Sequence, residues 1–181
     1  MKKLLVAVMM MGAATQVYAQ KYMTRTGKVS FFSSTPVENI EAFNNEVASA
    51  LDSKTGEFVF QAPIKSFKFE KALMQEHFNE NYMESNKYPK ADYKGKVTNL
   101  NAVNFAKDGT YNVSTSGKLT MHGVTRDVTI PGTIVVKGGQ ATVNSKFKVK
   151  PTDYKINIPK LVEGKIAKEI EVTVNSILEK K

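Results

Sequence analysis

From Tyr111 to His122 the side chains alternate with a period of two. Tyr111, Val113, Thr115, Gly117, Leu119 and Met121 share one face, while Asn112, Ser114, Ser116, Lys118, Thr120 and His122 share the other. A helix, repeating every 3.6 residues, would scatter these positions around its axis. The segment is therefore a half-buried strand, and the same pattern recurs along the chain. Val128, Ile130, Gly132, Ile134 and Val136 mark a second strand, with a bend expected at Pro131, because proline gives the sheet no N–H. Gly138-Gly139 is a two-residue hairpin signal, and it leads into a third strand with Ala141, Val143, Ser145, Phe147 and Val149 inward.

The remaining strands are shorter or less regular. Residues 24–34 place Val29 and Phe31 on one face, and residues 43–51 form a weaker strand. Phe58, Phe60, Ala62 and Ile64 alternate until the parity changes near Ser66, where a bulge is expected, and Phe67 and Phe69 follow on a common face. Residues 93–100 and 170–178 complete about eight strands. Between them, residues 70–83 repeat apolar groups at helical spacing, Met74, Phe78 and Tyr82, and predict one short amphipathic helix that ends before Tyr88-Pro89. Eight antiparallel strands with a single helix fit an all-β, closed eight-stranded barrel, which leaves no sheet edge; a sandwich is the structural rival.

The N-terminus falls outside this scheme. Lys2 and Lys3 precede an apolar run from Leu4 to Ala14, and Val17-Tyr18-Ala19 has the small residues of a cleavage site. Residues 1–19 are expected to be a secretory signal peptide, leaving 20–181 as one barrel domain in the periplasm or outside the cell. Spanning a bilayer takes about 20 apolar residues, more than this run supplies. The chain has no Cys, so neither disulfides nor a lipidated cysteine is expected.

The 26 basic residues outnumber 17 acidic ones, yet only Arg25 and Arg126 are arginine. Arginine is the side chain that reads phosphates and bases bidentately, and the lysines here are dispersed, alternating with Phe147 and Val149 where they cluster. Nucleic acid is thereby disfavoured as a partner, while weak attraction to anionic membrane surfaces is retained. The sequence leaves open whether the barrel forms a homodimer.

Two blocks carry a family resemblance. One runs from His77-Phe78-Asn79-Glu80-Asn81-Tyr82-Met83-Glu84-Ser85-Asn86-Lys87-Tyr88-Pro89-Lys90-Ala91 into Tyr93-Lys94-Gly95-Lys96-Val97; the other is Gly117-Lys118-Leu119-Thr120-Met121-His122-Gly123-Val124-Thr125-Arg126-Asp127-Val128. In order and spacing these blocks resemble the YceI-like, or polyisoprenoid-binding, proteins of bacterial envelopes. The resemblance implies an extended lipocalin-like β-barrel that holds a long polyisoprenoid or similar long-chain lipid, without a cofactor and without covalent chemistry.

The residues themselves allow more than one function. Phe31, Phe58, Phe60, Phe67, Phe69, Met74, Phe78, Met121 and Phe147 are large and apolar, and they either fill the barrel as a core or surround a ligand. Tyr82, Tyr88 and Tyr93 are candidates for its mouth, where hydroxyls could meet a headgroup. No Gly-x-Ser-x-Gly elbow, phosphate loop or zinc-binding spacing occurs, so neither a catalytic residue nor a metal site is expected. The two histidines, His77 and His122, are expected to pack on the helix and to fix a turn, respectively; their alternative is proton transfer on an apolar substrate. A third possibility is a filled barrel that acts through its outer surface. Residues 151–168, with Pro159 and Gly164, read as a long loop that either caps the barrel or hangs in solvent.

Overall fold

Period-two alternation becomes, in three dimensions, a sheet that bends round until its first and last strands meet. The computed structural model describes residues 21–181, and the expected signal peptide, residues 1–19, lies outside the described residues. The strands are β1 (Lys21–Ser34), β2 (Asn39–Asp52), β3 (Glu57–Pro63), β4 (Lys68–Phe69), β5 (Lys90–Val97), β6 (Gly109–Met121), β7 (Val124–Lys137), β8 (Gln140–Val149) and β9 (Ile170–Lys180), with one α-helix, α1 (Ala72–His77). All pairings are antiparallel and run in the order β1-β9-β8-β7-β6-β5-β3-β2, and β1 also pairs with β2, which closes an eight-stranded barrel. The two-residue β4 lies beside β2, with Ala42 opposite Phe69.

The alternation falls as expected. On β6, Val113 is buried and Leu119 and Met121 face the interior; Ile134 and Val136 on β7, and Ala141 and Val143 on β8, are buried as well. Gly138 and Gly139 both take positive φ, +56° and +80°, as a two-residue hairpin turn requires.

Two local expectations change. The parity break near Ser66 is not a bulge but a 3₁₀ turn, Ile64–Ser66, after which the chain resumes as β4. The register irregularity lies instead in β1, between Thr24 and Val29 against β2. The helix expected over residues 70–83 is α-helical only over Ala72–His77 and continues as a wider π turn, Phe78–Tyr82, whose looser winding carries Phe78 and Tyr82 toward the barrel.

Pro131 marks a more consequential break. β7 pairs with β6 along its whole length, but with β8 only from Gly132 onward, opposite Ser145. Above that point β8 pairs with β9 alone, and the wall splays between residues 124–131 and 146–149. The 3₁₀ turn Pro151–Tyr154 covers the gap, and Pro151, Tyr154 and Ile156 are buried.

The two ends of the barrel differ. The lower end is plugged by a cluster that includes Tyr22, Leu51, Phe58, Tyr93 and Leu178, with Leu100 and Phe105 of the β5–β6 connection packed against it. The upper end carries the longer excursions, residues 64–89 and 150–169. A second cluster there joins Val29, Ala62, Phe67, Met83, Tyr154 and Val174 with the rings of Phe31, Phe69, Phe78 and Phe147.

Candidate functional site

Between the lower plug and the upper cap lies a cavity of about 570 Å³, within the 300–1,000 Å³ typical of small-molecule sites. Its wall is overwhelmingly apolar because each strand turns alternate residues inward: Val29 and Phe31 from β1, Phe58, Phe60 and Ala62 from β3, Leu119 and Met121 from β6, Val143, Phe147 and Val149 from β8, and Val172 and Val174 from β9.

Of the candidate ligand-binding residues, Phe31, Phe58, Phe60, Phe67, Phe69, Met74, Phe78, Tyr82, Met121 and Phe147 all line this space. Tyr88 does not. Its ring stands edge-on to His122 at 4.7 Å, lies against Gly123 and carries Lys87 Nζ 4.9 Å above its centroid, so it braces a turn outside the wall. Tyr93 lines the floor rather than the mouth: it is 5% exposed and its hydroxyl lies over Gly95, while burial raises its pKa and the Thr115 hydroxyl opposes that rise. Tyr82 is half-buried in the wall, and partial desolvation raises its pKa too.

Phe31, Phe67, Phe69 and Phe78 form one aromatic group at the top of the cavity. Phe78 lies 5.4 Å from Phe31, 5.6 Å from Phe67 and 5.1 Å from Phe69, centroid to centroid. Offset and edge-on contacts at these distances hold the π turn onto β1 and β4. The same group therefore forms part of the ceiling and of the wall.

The long connection after β8 caps the barrel. Ile156, Ile158, Val162 and Ile166 line the cavity, and the Ala167 N–H donates to Ser33 Oγ at 2.9 Å, which ties the segment to the end of β1. These apolar groups were not among the sequence candidates, since an irregular segment has no periodicity to mark its inner face. Their spacing among Pro159, Gly164 and the lysines was the only signal.

His122 and Arg126 hold the start of this cap across the splay. His122 Nε2 lies 2.8 Å from Glu84 Oε2 and Nδ1 lies 3.1 Å from the Tyr154 carbonyl oxygen. The ring therefore bridges Glu84 and Tyr154, one nitrogen within hydrogen-bond distance of each. Arg126 Nε donates to the Asp153 carbonyl at 3.0 Å. Glu84 and His122 take positive φ, +44° and +50°, a conformation that side chains other than glycine adopt uncommonly. The ring nitrogens of His122 thus bond nothing within its own turn, contrary to expectation, but tie the turn at Glu84 to the start of the cap at Tyr154. His77 is exposed, yet it contributes to the rim of the cavity.

Ionisable groups on the lining are few: Glu38, Lys71, His77, Asp92 and Lys165. Glu38 is engaged by Lys71 at 3.4 Å, and Asp92 accepts from Gln61 at 2.7 Å. Among the described residues no group of three or more His, Cys, Asp or Glu is placed to hold a metal, and no helix is long and apolar enough to cross a membrane. The arrangement suits an apolar molecule, bound by exclusion of water rather than by a dense set of hydrogen bonds.

Comparison with known proteins agrees with this architecture. A polyisoprenoid-binding domain from Saccharophagus degradans, implicated in plant cell wall breakdown, superposes with a TM-score of 0.78 at 16% identity, covering 89% of this chain and 98% of its own. BcnA of Burkholderia cenocepacia gives a TM-score of 0.65 at 18% identity, covering 84% and 95%. The YCEI protein of Campylobacter jejuni gives 0.56 at 16%, covering 75% and 80%. At these identities the likeness concerns the fold. No curated protein matches the chain. The family model of the YceI-like domain matches residues 14–177, essentially the whole barrel with its plug, cap and cavity, and the chain belongs to the YceI-like domain family.

Proposed function

We propose that this protein holds a long-chain polyisoprenoid or similar amphiphile inside its barrel, as an exported carrier or store in the periplasm or outside the cell. One observation carries the reading: the interior above the plug is a cavity of about 570 Å³ lined mostly by aliphatic and aromatic side chains, where an ordinary barrel core would be filled. The resemblance of the fold to a polyisoprenoid-binding domain supports the choice of ligand class. Residues 1–19, with their lysines, apolar run and Val17-Tyr18-Ala19, support export.

Affinity for such a ligand follows from burial alone. Each CH₂ removed from water contributes ~0.8 kcal/mol, so each five-carbon isoprene unit contributes about 4 kcal/mol before the entropy of ordering the chain is subtracted. Selectivity then rests on the length of the tube and on the rim, where Lys71, His77 and Lys165 face the opening. Covalent chemistry has little support, because the histidine with two firm partners, His122, spends both ring nitrogens on the cap. The filled-barrel reading is opposed by the cavity itself.

Native mass spectrometry of protein purified from its own envelope tests the proposal, with solvent extraction of whatever adduct appears. A stoichiometric lipid adduct that disappears in Ala91→Trp, where a bulky ring enters the lining, is the expected result. A bare polypeptide mass, unchanged after incubation with isoprenoid quinones, refutes it.

A further inference from the structure

We infer that the cap end of the barrel is a docking surface for an anionic lipid bilayer, seating the cavity mouth on the membrane. The inference rests on the cavity being a lipid site, but it arises from a separate observation, the placement of exposed apolar side chains. Among the large exposed hydrophobic residues, Val37, Leu73 and Leu161 are 66%, 60% and 94% exposed. They come from three different segments: the β1–β2 turn, α1, and the 3₁₀ stretch Lys160–Lys165. Each segment also contributes to the cavity lining, through Glu38, Leu73 itself and Val162, so the three side chains ring one opening. Phe32 and Phe43 extend the apolar surface down the outside of the same end, where β1 and β2 approach their turn and Phe43 lies opposite Lys68.

An isolated exposed leucine needs no explanation, and Met23, Val59 and Ile177 lie on the outer face of the strands toward the opposite, plugged end, away from the cavity mouth. Convergence of the others on the mouth of an apolar cavity is different, since a bilayer meets both features at once. A tail leaving the cavity into water exposes every methylene it carries, whereas a mouth seated among acyl chains keeps its path apolar throughout.

The charges around the mouth select the kind of bilayer. Residues 155–169 carry Lys155, Lys160, Lys165 and Lys168 against Glu163 and Glu169. Among the described residues, Lys68, Lys160, Lys165 and Lys168 form no ion pair with a carboxylate, while Glu38 is already engaged by Lys71 and Glu169 by Lys148 and Lys150. Glu70, Glu76, Glu80 and Glu163 at the same end keep the excess modest, as suits a surface that must also release. Unpaired lysines beside exposed apolar groups match a surface of anionic headgroups over acyl chains.

Flotation of the purified protein with vesicles, carrying no isoprenoid, is the test. Recovery with vesicles of equal parts phosphatidylcholine and phosphatidylglycerol is expected to exceed recovery with phosphatidylcholine alone, and to fall about tenfold in Val37→Asp/Leu73→Asp/Leu161→Asp. Lys160→Glu/Lys165→Glu/Lys168→Glu is expected to abolish the preference for phosphatidylglycerol. All six positions are at the surface, and an unchanged melting temperature verifies that each variant folds. Ala91→Trp separates the two proposals: vesicle binding without lipid uptake leaves docking intact whatever becomes of the carrier reading. Equal recovery of the apolar triple variant and the wild type overturns the inference, as does absence of flotation. A dimer that the triple variant abolishes, without flotation, assigns the rim to a second copy of the chain and also overturns it.

Discussion

The contact between Phe31 and Phe78 offers the sharpest test of how the cap is held. Phe31 projects from β1 and Phe78 opens the π turn after α1; their centroids lie 5.4 Å apart with planes at 29°. Phe78 touches Phe67 and Phe69 as well, so its truncation removes three ring contacts at once. Phe→Ala in a packed core costs 3–5 kcal/mol, and because Phe78 is half-buried and borders an existing cavity, about 3 kcal/mol is expected for Phe78→Ala. With a urea m-value of roughly 2 kcal/mol/M, the unfolding midpoint falls by about 1.5 M. Phe31→Ala removes an equivalent set of contacts, to Phe67, Phe69 and Phe78, and a similar shift is expected. The double variant isolates the pair: its loss is expected to fall short of the sum of the singles by about 0.5–1.5 kcal/mol, the range for aromatic pairs beyond area burial. Urea unfolding of the four proteins, followed by far-UV circular dichroism, measures all three quantities. Additivity within about 0.3 kcal/mol would mean that the rings do not stabilise one another and that the backbone of residues 64–89 holds the cap without them.

Two further perturbations probe the wall and a turn. Gly117 and Gly95 face each other across β5 and β6, and a Cβ on Gly117 would fall on the Gly95 Cα and the Lys94 carbonyl, backbone atoms that cannot rotate away. Gly117→Ala is expected to lower the melting temperature by about 5–10 °C, and a scanning-calorimetry change below 2 °C would show, on the order-of-magnitude scale for a domain this size, that the strands separate freely. Asp52 closes the β2–β3 turn by accepting the backbone N–H groups of Lys54 at 2.9 Å and Thr55 at 3.0 Å, and these bonds hold its carboxyl below the ordinary Asp pKa. A depressed pKa stabilises the fold above the unfolded value and loses that contribution as pH falls through the folded one. The advantage of wild type over Asp52→Asn is therefore expected to be constant at neutral pH and to shrink below about pH 4; as the site is at the surface it should stay under ~1 kcal/mol. An advantage that persists unchanged in strong acid would show that the charge contributes nothing.

The barrel was legible in the sequence because alternation is a property of single residues in a strand: a side chain at an odd position of residues 111–121 faces inward whatever its neighbours do. For the same reason the phenylalanine candidates on strands, Phe31, Phe58, Phe60, Phe69 and Phe147, all line the cavity. Gly138-Gly139 was equally local, since only the backbone preference of glycine is involved. The two-block resemblance carried the family, and the family model agrees.

What needed the tertiary structure was everything decided by distances between remote segments. Tyr88 matched the mouth tyrosines in composition but is drawn outside the wall by His122, 34 positions away in sequence. Whether the aromatic interior would be filled or open could not be read from side-chain size, because a void depends on how far apart the walls stand. The loops of residues 98–108 fill the lower end, while at the upper end the cap bridges over a space that it does not enter far enough to fill. Pro131 announced an interruption, but only the pairing registers reveal that β7 and β8 part there and that Pro151–Tyr154 closes the gap through His122 and Arg126. The inward faces of the strands follow from backbone geometry one residue at a time, whereas the cavity, its cap and its rim depend on the packing of segments that the chain brings together only when it closes.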